Sequence, residues 1–331
     1  LKNRIISFCN DLGLDTIGFV KCRKFKELIE LYTYRKNKNL ENEFEETDIE
    51  KRINPFIYME NGKTIISIAF PYMKNFDLND EIYFSKYTQV MDYHKVVRLY
   101  LDKICKFIQS LGGEAIPLVD SNSLPERHIA ALGGVGFIGK NNMVITKKYG
   151  SYVFLGEIIT SLNIQCENNI NLDEILSFKK CNECHRCYEK CPTKSINIHN
   201  KNCNICLSYI TQKKEIDDKW LDKLNGRLFG CDTCQTVCPY NKYIEKSLIN
   251  EFKTMDFMKN INIEEIIYMD KKTFKEKYIK TSCGWRGKSI LQRNALIACL
   301  TLNGNYYIDD KKILSPYVKE YYNRLLNKGD L

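Results

Sequence analysis

The chain has 331 residues, more than the roughly 100–200 of a single ordinary domain, so two domains or a domain with a large appendage is expected. Hydrophobic residues make up 44% and charged residues 27%, with no run of eighteen apolar residues, which excludes a membrane-spanning helix and fits a soluble globular protein. The formal charge of +9 is spread along the chain, which excludes a single basic tail and favours a polyanionic partner without specifying one.

In chain order, LKNRIISFCNDLG reads as an amphipathic first helix over 4–12. It lacks the apolar core and cleavage site of an export signal, so a cytoplasmic protein is expected. Residues 1–165 then mix a second helical pattern (95–111) with short apolar runs bounded by Gly and Pro: TIGFV (16–20), TIISIAF (64–70), EAIPLV (114–119), NMVITKK (142–148) and SYVFLGEIIT (151–160). These predict an α/β (α+β) domain, with Tyr34 to Asn54 a solvated, charged stretch inside it. A connector is expected over 166–180, a cysteine-dominated region to about 245, and a helical tail over 246–331. KWLDKLNGRLFG predicts a helix ending near Gly226 or Gly230. In the tail, INIEEIIYM, KTFKEKYI, SILQRNALIACLTL and SPYVKEYYNRLL each carry apolar residues at three- and four-residue spacing.

Ten of the fifteen cysteines fall within 166–238, a clustering that favours metal over disulfides in a chain with no export signal. Cys181, Cys184, Cys187 and Cys191, with Pro192, match the C-x2-C-x2-C-x3-C-P run of bacterial ferredoxins, in which the fourth cysteine serves a second cluster. Cys231, Cys234 and Cys238, with Pro239, form a shortened copy, and Cys203 and Cys206 lie between. Two four-iron clusters need eight ligands and these stretches offer nine, so one of Cys203 and Cys206 is spare. Structural zinc, usually held by two separated cysteine pairs, fits this pattern poorly. Iron–sulfur centres span roughly −700 to +450 mV, so the motif announces single-electron transfer and leaves its destination open.

Upstream, IPLVDSNSLPERHIAALGGVGFIGKNNMVI (116–145) is the candidate active site. Gly134, Gly136 and Gly139 satisfy G-x-G-x-x-G, with Glu157 at the distance of a ribose contact, but ERHIAALG before them reads as a helix where a dinucleotide site needs a strand. The glycines are better explained by a turn or a close backbone approach. Asp120 ends an apolar run, where a carboxylate can project into a cleft, although a solvated loop aspartate or helix cap is the commoner case. His94, alone on an amphipathic helix, reads as structural. Arg286, Lys288 and Arg293 surround Trp285, a set that suits phosphate gripping and base stacking as well as a solvated helix start. Cys9, Cys22, Cys105, Cys166, Cys283 and Cys299 lack ligand spacing and read as small buried thiols.

Taken together these residues resemble one family, epoxyqueuosine reductase, the cobalamin-dependent iron–sulfur enzyme of tRNA queuosine synthesis. The resemblance runs through DIEKRINP (48–55), DYHKVV (92–97), VDSNSLPERHIAALGGVGFIGKN (119–141), GSYVFLGEIIT (150–160), the first cysteine run, CLSYITQ (206–212), NGRLFGCDTCQTVCPYNK (225–242) and WRGKSILQRN (285–294). It implies three regions: a cobalamin-binding catalytic domain over 1–165, a ferredoxin-like two-cluster domain over 166–245 and a short helical C-terminal region over 246–331. It further implies that Cys181, Cys184, Cys187 and Cys238 bind one [4Fe–4S] cluster, and Cys191, Cys206, Cys231 and Cys234 the other. Asp120 becomes the proton donor; cobalamin is expected against Arg52, Ser85, Asp120, Asn141, Val144 and Leu155. Lys213, Lys214, Arg286, Lys288 and Arg293 are expected to face the tRNA. Too little chain follows WRGK for the helical-repeat extension of some relatives, so tRNA contacts from such an extension are not expected.

The implied reaction removes the epoxide oxygen of the wobble nucleoside as water, taking two electrons and two protons and leaving an alkene. An ordinary Asp, with a pKa of about 3.9, is ionised at neutral pH, so burial beneath corrin and substrate is expected to raise Asp120. The expected partners are tRNA carrying epoxyqueuosine and an external one-electron donor of flavodoxin or ferredoxin type, with no membrane and a monomeric chain. A corrinoid reductive dehalogenase is the nearest enzymatic alternative, but such enzymes are normally exported or membrane-associated. A plain electron-carrying ferredoxin protein would leave the first 165 or so residues without a purpose.

Overall fold

The computed structural model describes residues 1–74, 81–166, 171–199, 201–302 and 307–329. Its organising element is a four-stranded antiparallel sheet in the order β1-β2-β7-β4. The strands are β1 (Ile17–Lys21), β2 (Thr64–Pro71), β4 (Ala115–Leu118) and β7 (Val153–Thr160). Every residue of β2 is buried, as its unbroken run TIISIAF demands of a central strand covered on both faces.

Helix Tyr93–Ser110 packs along β7 and β4 with Val96, Val97, Tyr100, Leu101, Ile104, Cys105 and Ile108 buried at helical spacing. Its approach depends on Gly156 in β7, where a Cβ would stand 2.7 Å from Val97 Cγ1. Asp92 caps this helix, its carboxylate accepting from the His94 amide, and thereby fixes where Tyr93 and His94 begin. Helix Glu126–Leu132, which follows β4, lies on the other side of the sheet, against β1, β2 and β7. There Gly18 and Gly133 meet so closely that a Cβ on Gly18 would sit 2.3 Å from the Gly133 carbonyl oxygen.

The sequence locates these elements well but misses smaller ones. The run NMVITKK yields only β6 (Val144–Ile145), paired with β5 (Phe137–Ile138). The helix in KWLDKLNGRLFG stops at Leu224, where Asn225 and Gly226 turn left-handed, and the next three residues form β8 (Arg227–Phe229). That strand pairs in parallel with β3 (Tyr83–Phe84), tying the cysteine-rich region to the N-terminal part. The polar stretch 34–54 is folded rather than merely solvated: Arg35 and Arg52 bind Glu41 and Glu45 inside it. The expected connector lies partly outside the described residues, at 167–170.

Two large apolar clusters underlie this layout. One joins the helix Tyr93–Ser110 face to β2, β7 and the first helix, Lys2–Asp11, and takes in Ile249 and Phe252. The other gathers Leu207, Trp220, Leu228 and Phe229 with Phe84 and the tail helices Lys288–Leu302 and Pro316–Gly329, so the tail and part of the cysteine-rich region share one core.

Candidate active site and cysteine centre

Two residues past the end of β4, the chain turns sharply. The Ser121 amide donates to the Val119 carbonyl, and Asp120 takes a left-handed φ of 45°. Its Oδ2 accepts from the Tyr93 hydroxyl at 2.6 Å and lies 3.1 Å from His94 Nε2. The other imidazole nitrogen, Nδ1, is 2.8 Å from the Asp92 carboxylate. His94 is therefore clasped between two carboxylates, while Tyr93 stacks on both His94 and Phe154.

The electrostatics follow from those contacts. Burial pushes the Asp120 carboxyl up, but hydrogen bonds from His94 and Tyr93 outweigh it and leave it below the ordinary carboxylate value. Hydrogen bonds to Asp120 and Asp92, against the opposing cost of burial, raise His94 to about 9. Burial and the Asp120 charge push the Tyr93 hydroxyl far up, so it keeps its proton. Without corrin or substrate over the site, these contacts favour the proton on His94 over the Asp120 carboxyl.

Asp120 is 55% exposed and Arg127, five residues beyond the turn's Asn122, is also exposed, yet the surrounding protein desolvates both groups. Both side chains therefore reach the protein surface from crowded surroundings. Val144 and Leu155 pack into one apolar group with Ala69, Ala130 and Val135. Ser85 and Asn141 both anchor on the turn that carries Cys234: Ser85 Oγ donates to Asp232 at 2.6 Å, and Asn141 Nδ2 reaches the Cys234 carbonyl at 3.5 Å. Arg52 stacks 3.7 Å over the Tyr32 ring and pairs with Glu41 at 2.9 Å and Glu45 at 3.4 Å.

The cysteines fall into two neighbouring sets. Burial, then the charges of Cys181, Cys238 and Cys184, push the Cys187 thiol up to about 11. Burial, then Cys231 and Cys191, raise Cys206, and burial, Cys206 and Cys231 raise Cys234. Cys187 also acts on Cys234, so the sets adjoin. Hydrogen bonds already point at two sulfurs, from the Lys140 amide to Cys181 at 3.4 Å and from Arg227 Nε to Cys231 at 3.3 Å. Among the described residues, no three His, Cys, Asp or Glu side chains close on a single metal ion. Cys203 stands apart, its single S–H within reach of the Leu40 carbonyl at 2.9 Å and Glu45 at 3.0 Å, and burial with the Glu45 contact raises it to about 11.

Residues 180–241 match the 4Fe-4S double cluster binding domain, and residues 52–121 match the family described as epoxyqueuosine reductase QueG, DUF1730. Over 309 residues, 90% of this chain and 78% of the relative, the chain is 34% identical to epoxyqueuosine reductase of Bacillus subtilis. The chain belongs to the epoxyqueuosine reductase family. A crystal structure of an epoxyqueuosine reductase with an epoxyqueuosine-modified tRNA stem loop superposes with a TM-score of 0.83 at 31% identity, covering 99% of this chain and 94% of that one. The Bacillus subtilis epoxyqueuosine reductase, in a structure with its catalytic aspartate loop swung out of the active site, superposes with a TM-score of 0.82 at 30% identity, again covering 99% and 94%.

Within this epoxyqueuosine reductase fold, the five basic residues expected at the tRNA have unequal fates. Arg293 is fully buried and donates to the carbonyls of Thr211, Lys213 and Lys214, which corrects its assignment: it braces the segment bearing Lys213 and Lys214 and is closed to a phosphate. Lys288 is likewise turned inward, its Nζ 2.9 Å from both the Met269 carbonyl and Gln292. Lys214 is exposed and Lys213 half-buried. Arg286 stacks on Trp285 and on Phe44, and Trp285 is 57% exposed. The residue that sequence reasoning undervalued is His94. Its signal was the neighbouring Asp92, a cap whose carboxylate also reaches the imidazole; the second carboxylate, Asp120, lies 26 residues away and becomes visible only in the fold.

Proposed function

We propose that this chain reduces the epoxide of epoxyqueuosine in tRNA to the alkene of queuosine, with cobalamin in the Asp120 cleft and two [4Fe–4S] clusters on the two cysteine sets. The observation that carries the reading is the Asp120–Tyr93–His94 contact in a chain whose Ser85 and Asn141 are hydrogen-bonded to the cysteine-bearing turn. Family membership supports the substrate class. The relative solved with a modified tRNA stem loop supports tRNA as the partner.

The cysteines suit clusters: eight thiols in two adjoining sets, with N–H donors aimed at Cys181 and Cys231. For cobalamin, the apolar group at Val144 and Leu155 would offer a surface for the corrin. Of the six residues the resemblance assigns to it, Asp120 and Leu155 remain the most open, whereas Arg52, Ser85 and Asn141 have polar atoms engaged within the protein and would shape the wall. When bound, cobalamin supplies the reduced metal nucleophile that opens the epoxide. The chain's own residues supply the first of the two protons, and solvent supplies the second as the oxygen leaves as water. As the ring opens, negative charge grows on the leaving oxygen and needs a positioned acid. His94 Nε2 holds a proton 3.1 Å from Asp120 Oδ2, so Asp120 passes it on when substrate displaces water and favours its neutral form. Tyr93, pinned by its stack on Phe154, holds the carboxylate in line.

Anaerobic purification with iron, sulfide and cobalt analysis, followed by turnover of epoxyqueuosine tRNA, tests the reading. About eight irons and one cobalamin per active chain are expected. Zinc in place of iron, or alkene formation without cobalamin, would defeat it. Among the described residues no helix is long and apolar enough to cross a membrane.

A further inference from the structure

Two carboxyl groups beside Asp120 have no part in this chemistry. Glu157 lies within β7, fully buried, opposite Ser67 of β2 and Leu118 of β4. Ser67 donates to its Oε1 at 3.2 Å, and the Glu157 carboxyl is buried against that of Glu126. Glu126, in the first turn of helix Glu126–Leu132, is half-buried nearby. Its Oε1 accepts from the Asp120 amide at 2.9 Å and from Asn122 Nδ2 at 2.7 Å, and Asn122 Oδ1 in turn accepts from the Leu124 amide at 2.9 Å. One oxygen thus gathers the donors of residues 120 and 122.

The loop needs such a hold. Asp120 has a left-handed φ, a conformation unfavourable for a non-glycine residue that persists only when its surroundings impose it. Ser123 is anchored farther along, its amide donating to the Tyr58 hydroxyl at 2.8 Å and its hydroxyl to the Lys51 carbonyl at 2.8 Å. The Asp120 carboxylate is held by Tyr93 and His94, contacts that proton delivery must disturb. Among the described residues, only Glu126 accepts from the Asp120 amide, and it leaves the carboxylate free. Burial and the Asp120 charge push Glu126 up to about 7, and burial with Glu126 pushes Glu157 well above the carboxylate range, so Glu157 is the neutral member of the two.

We propose that Glu126 is the latch of the Asp120 loop, a positioning residue that fixes the catalytic carboxylate in front of Tyr93 and His94 through its backbone, with Glu157 as a neutral carboxyl beside it. The proposal rests on the role of Asp120 given above. It differs from the ordinary part played by an acid in a helix's first turn, which acts through charge and helix stability. Glutamine keeps the accepting Oε1 and removes the charge; alanine removes both.

The test uses cluster- and cobalamin-loaded wild type, Glu126→Gln, Glu126→Ala, Glu157→Gln and Asp120→Asn. Hydrogen–deuterium exchange is followed over residues 119–124, and kcat and KM are measured on epoxyqueuosine tRNA. For Glu126→Ala the expected result is about tenfold faster exchange at the Asp120 amide and about tenfold lower kcat, with KM within about twofold, the pattern of a misplaced reacting group. Glu126→Gln and Glu157→Gln should both stay close to wild type. Should Glu126→Ala fail to fold, Glu126→Asp, whose acceptor is withdrawn by one methylene, carries the same expectation. Wild-type exchange and kcat in the alanine variant overturn the latch. So do equal losses in the glutamine and alanine variants with unchanged local exchange, which would mean a charge role. Full activity in Asp120→Asn overturns the assignment of Asp120 instead, a result separable because the exchange measurement does not depend on turnover.

Discussion

The Asp120 loop and the cysteine centre are held in place by different physics. At the loop, the residues are held mainly by hydrogen bonds within the protein: Tyr93 and His94 on the carboxylate, Glu126 on the amide, Tyr58 on Ser123. The cysteines are brought near one another by short helices and turns, but the groups that would finally fix them are absent from the chain's own chemistry, and their mutual charge opposes close approach of thiolates. The first region should keep its geometry without cofactors, whereas the second should depend on iron to be completed. Loss of a cysteine should therefore be all-or-none, and loss of a loop contact should be graded.

Cys231→Ser breaks the comparison most severely. It removes a thiol that receives the Arg227 Nε–H, in the set with Cys191, Cys206 and Cys234, and should cost about four of the expected eight irons together with all epoxide reduction. Iron analysis and electron paramagnetic resonance of the reduced protein read this directly. Retention of the full iron content would show that the cysteine sets are drawn wrongly.

Asp120→Asn should leave iron and cobalamin content unchanged and lower single-turnover alkene formation by about 10²–10⁴-fold, the usual contribution of a positioned acid. Near-normal turnover would remove Asp120 from proton delivery. His94→Gln is milder, about tenfold, because Tyr93 still holds the carboxylate. It also carries a pH signature. His94 is raised in the folded protein, so its contribution to stability is complete below the unfolded value of about 6.5 and is lost as pH rises through about 9. Chemical denaturation of wild type should accordingly weaken between pH 7 and 10 more than that of His94→Gln. Equal weakening of the two would mean that the imidazole is not charged between Asp92 and Asp120.

How much of this was legible beforehand depended on whether the signal was local. The cysteine runs and the strand TIISIAF declare themselves within a few residues, because ligand spacing and two-sided burial are properties of a short segment. The cleft did not. His94 and Asp120 meet because helix Tyr93–Ser110 lies along β7 and β4, and the latch at Glu126 depends on a turn whose left-handed residue is an aspartate, with no glycine to mark it. Arg293 misled for the complementary reason: a basic residue near an exposed tryptophan looks like a phosphate contact until three backbone carbonyls are found around its guanidinium.

The ninth cysteine gives the smallest expected effect and the sharpest check on the boundary between the two regions. Spacing alone left Cys203 and Cys206 equivalent as candidate ligands. In the fold, the Cys203 thiol is used as a hydrogen-bond donor to Leu40 or Glu45, in the Arg35–Arg52 network of the N-terminal part, while Cys206 lies among Cys191, Cys231 and Cys234. A serine hydroxyl at 203 offers the same single donor to Leu40 or Glu45, so Cys203→Ser should retain full iron, normal turnover and stability within about 1 kcal/mol of wild type. Cys206→Ser should lose iron as Cys231→Ser does. If the two variants exchanged behaviour, the second cysteine set would have to reach into the Glu45 network, and the division between a region finished by hydrogen bonds and one finished by iron would fail at that point.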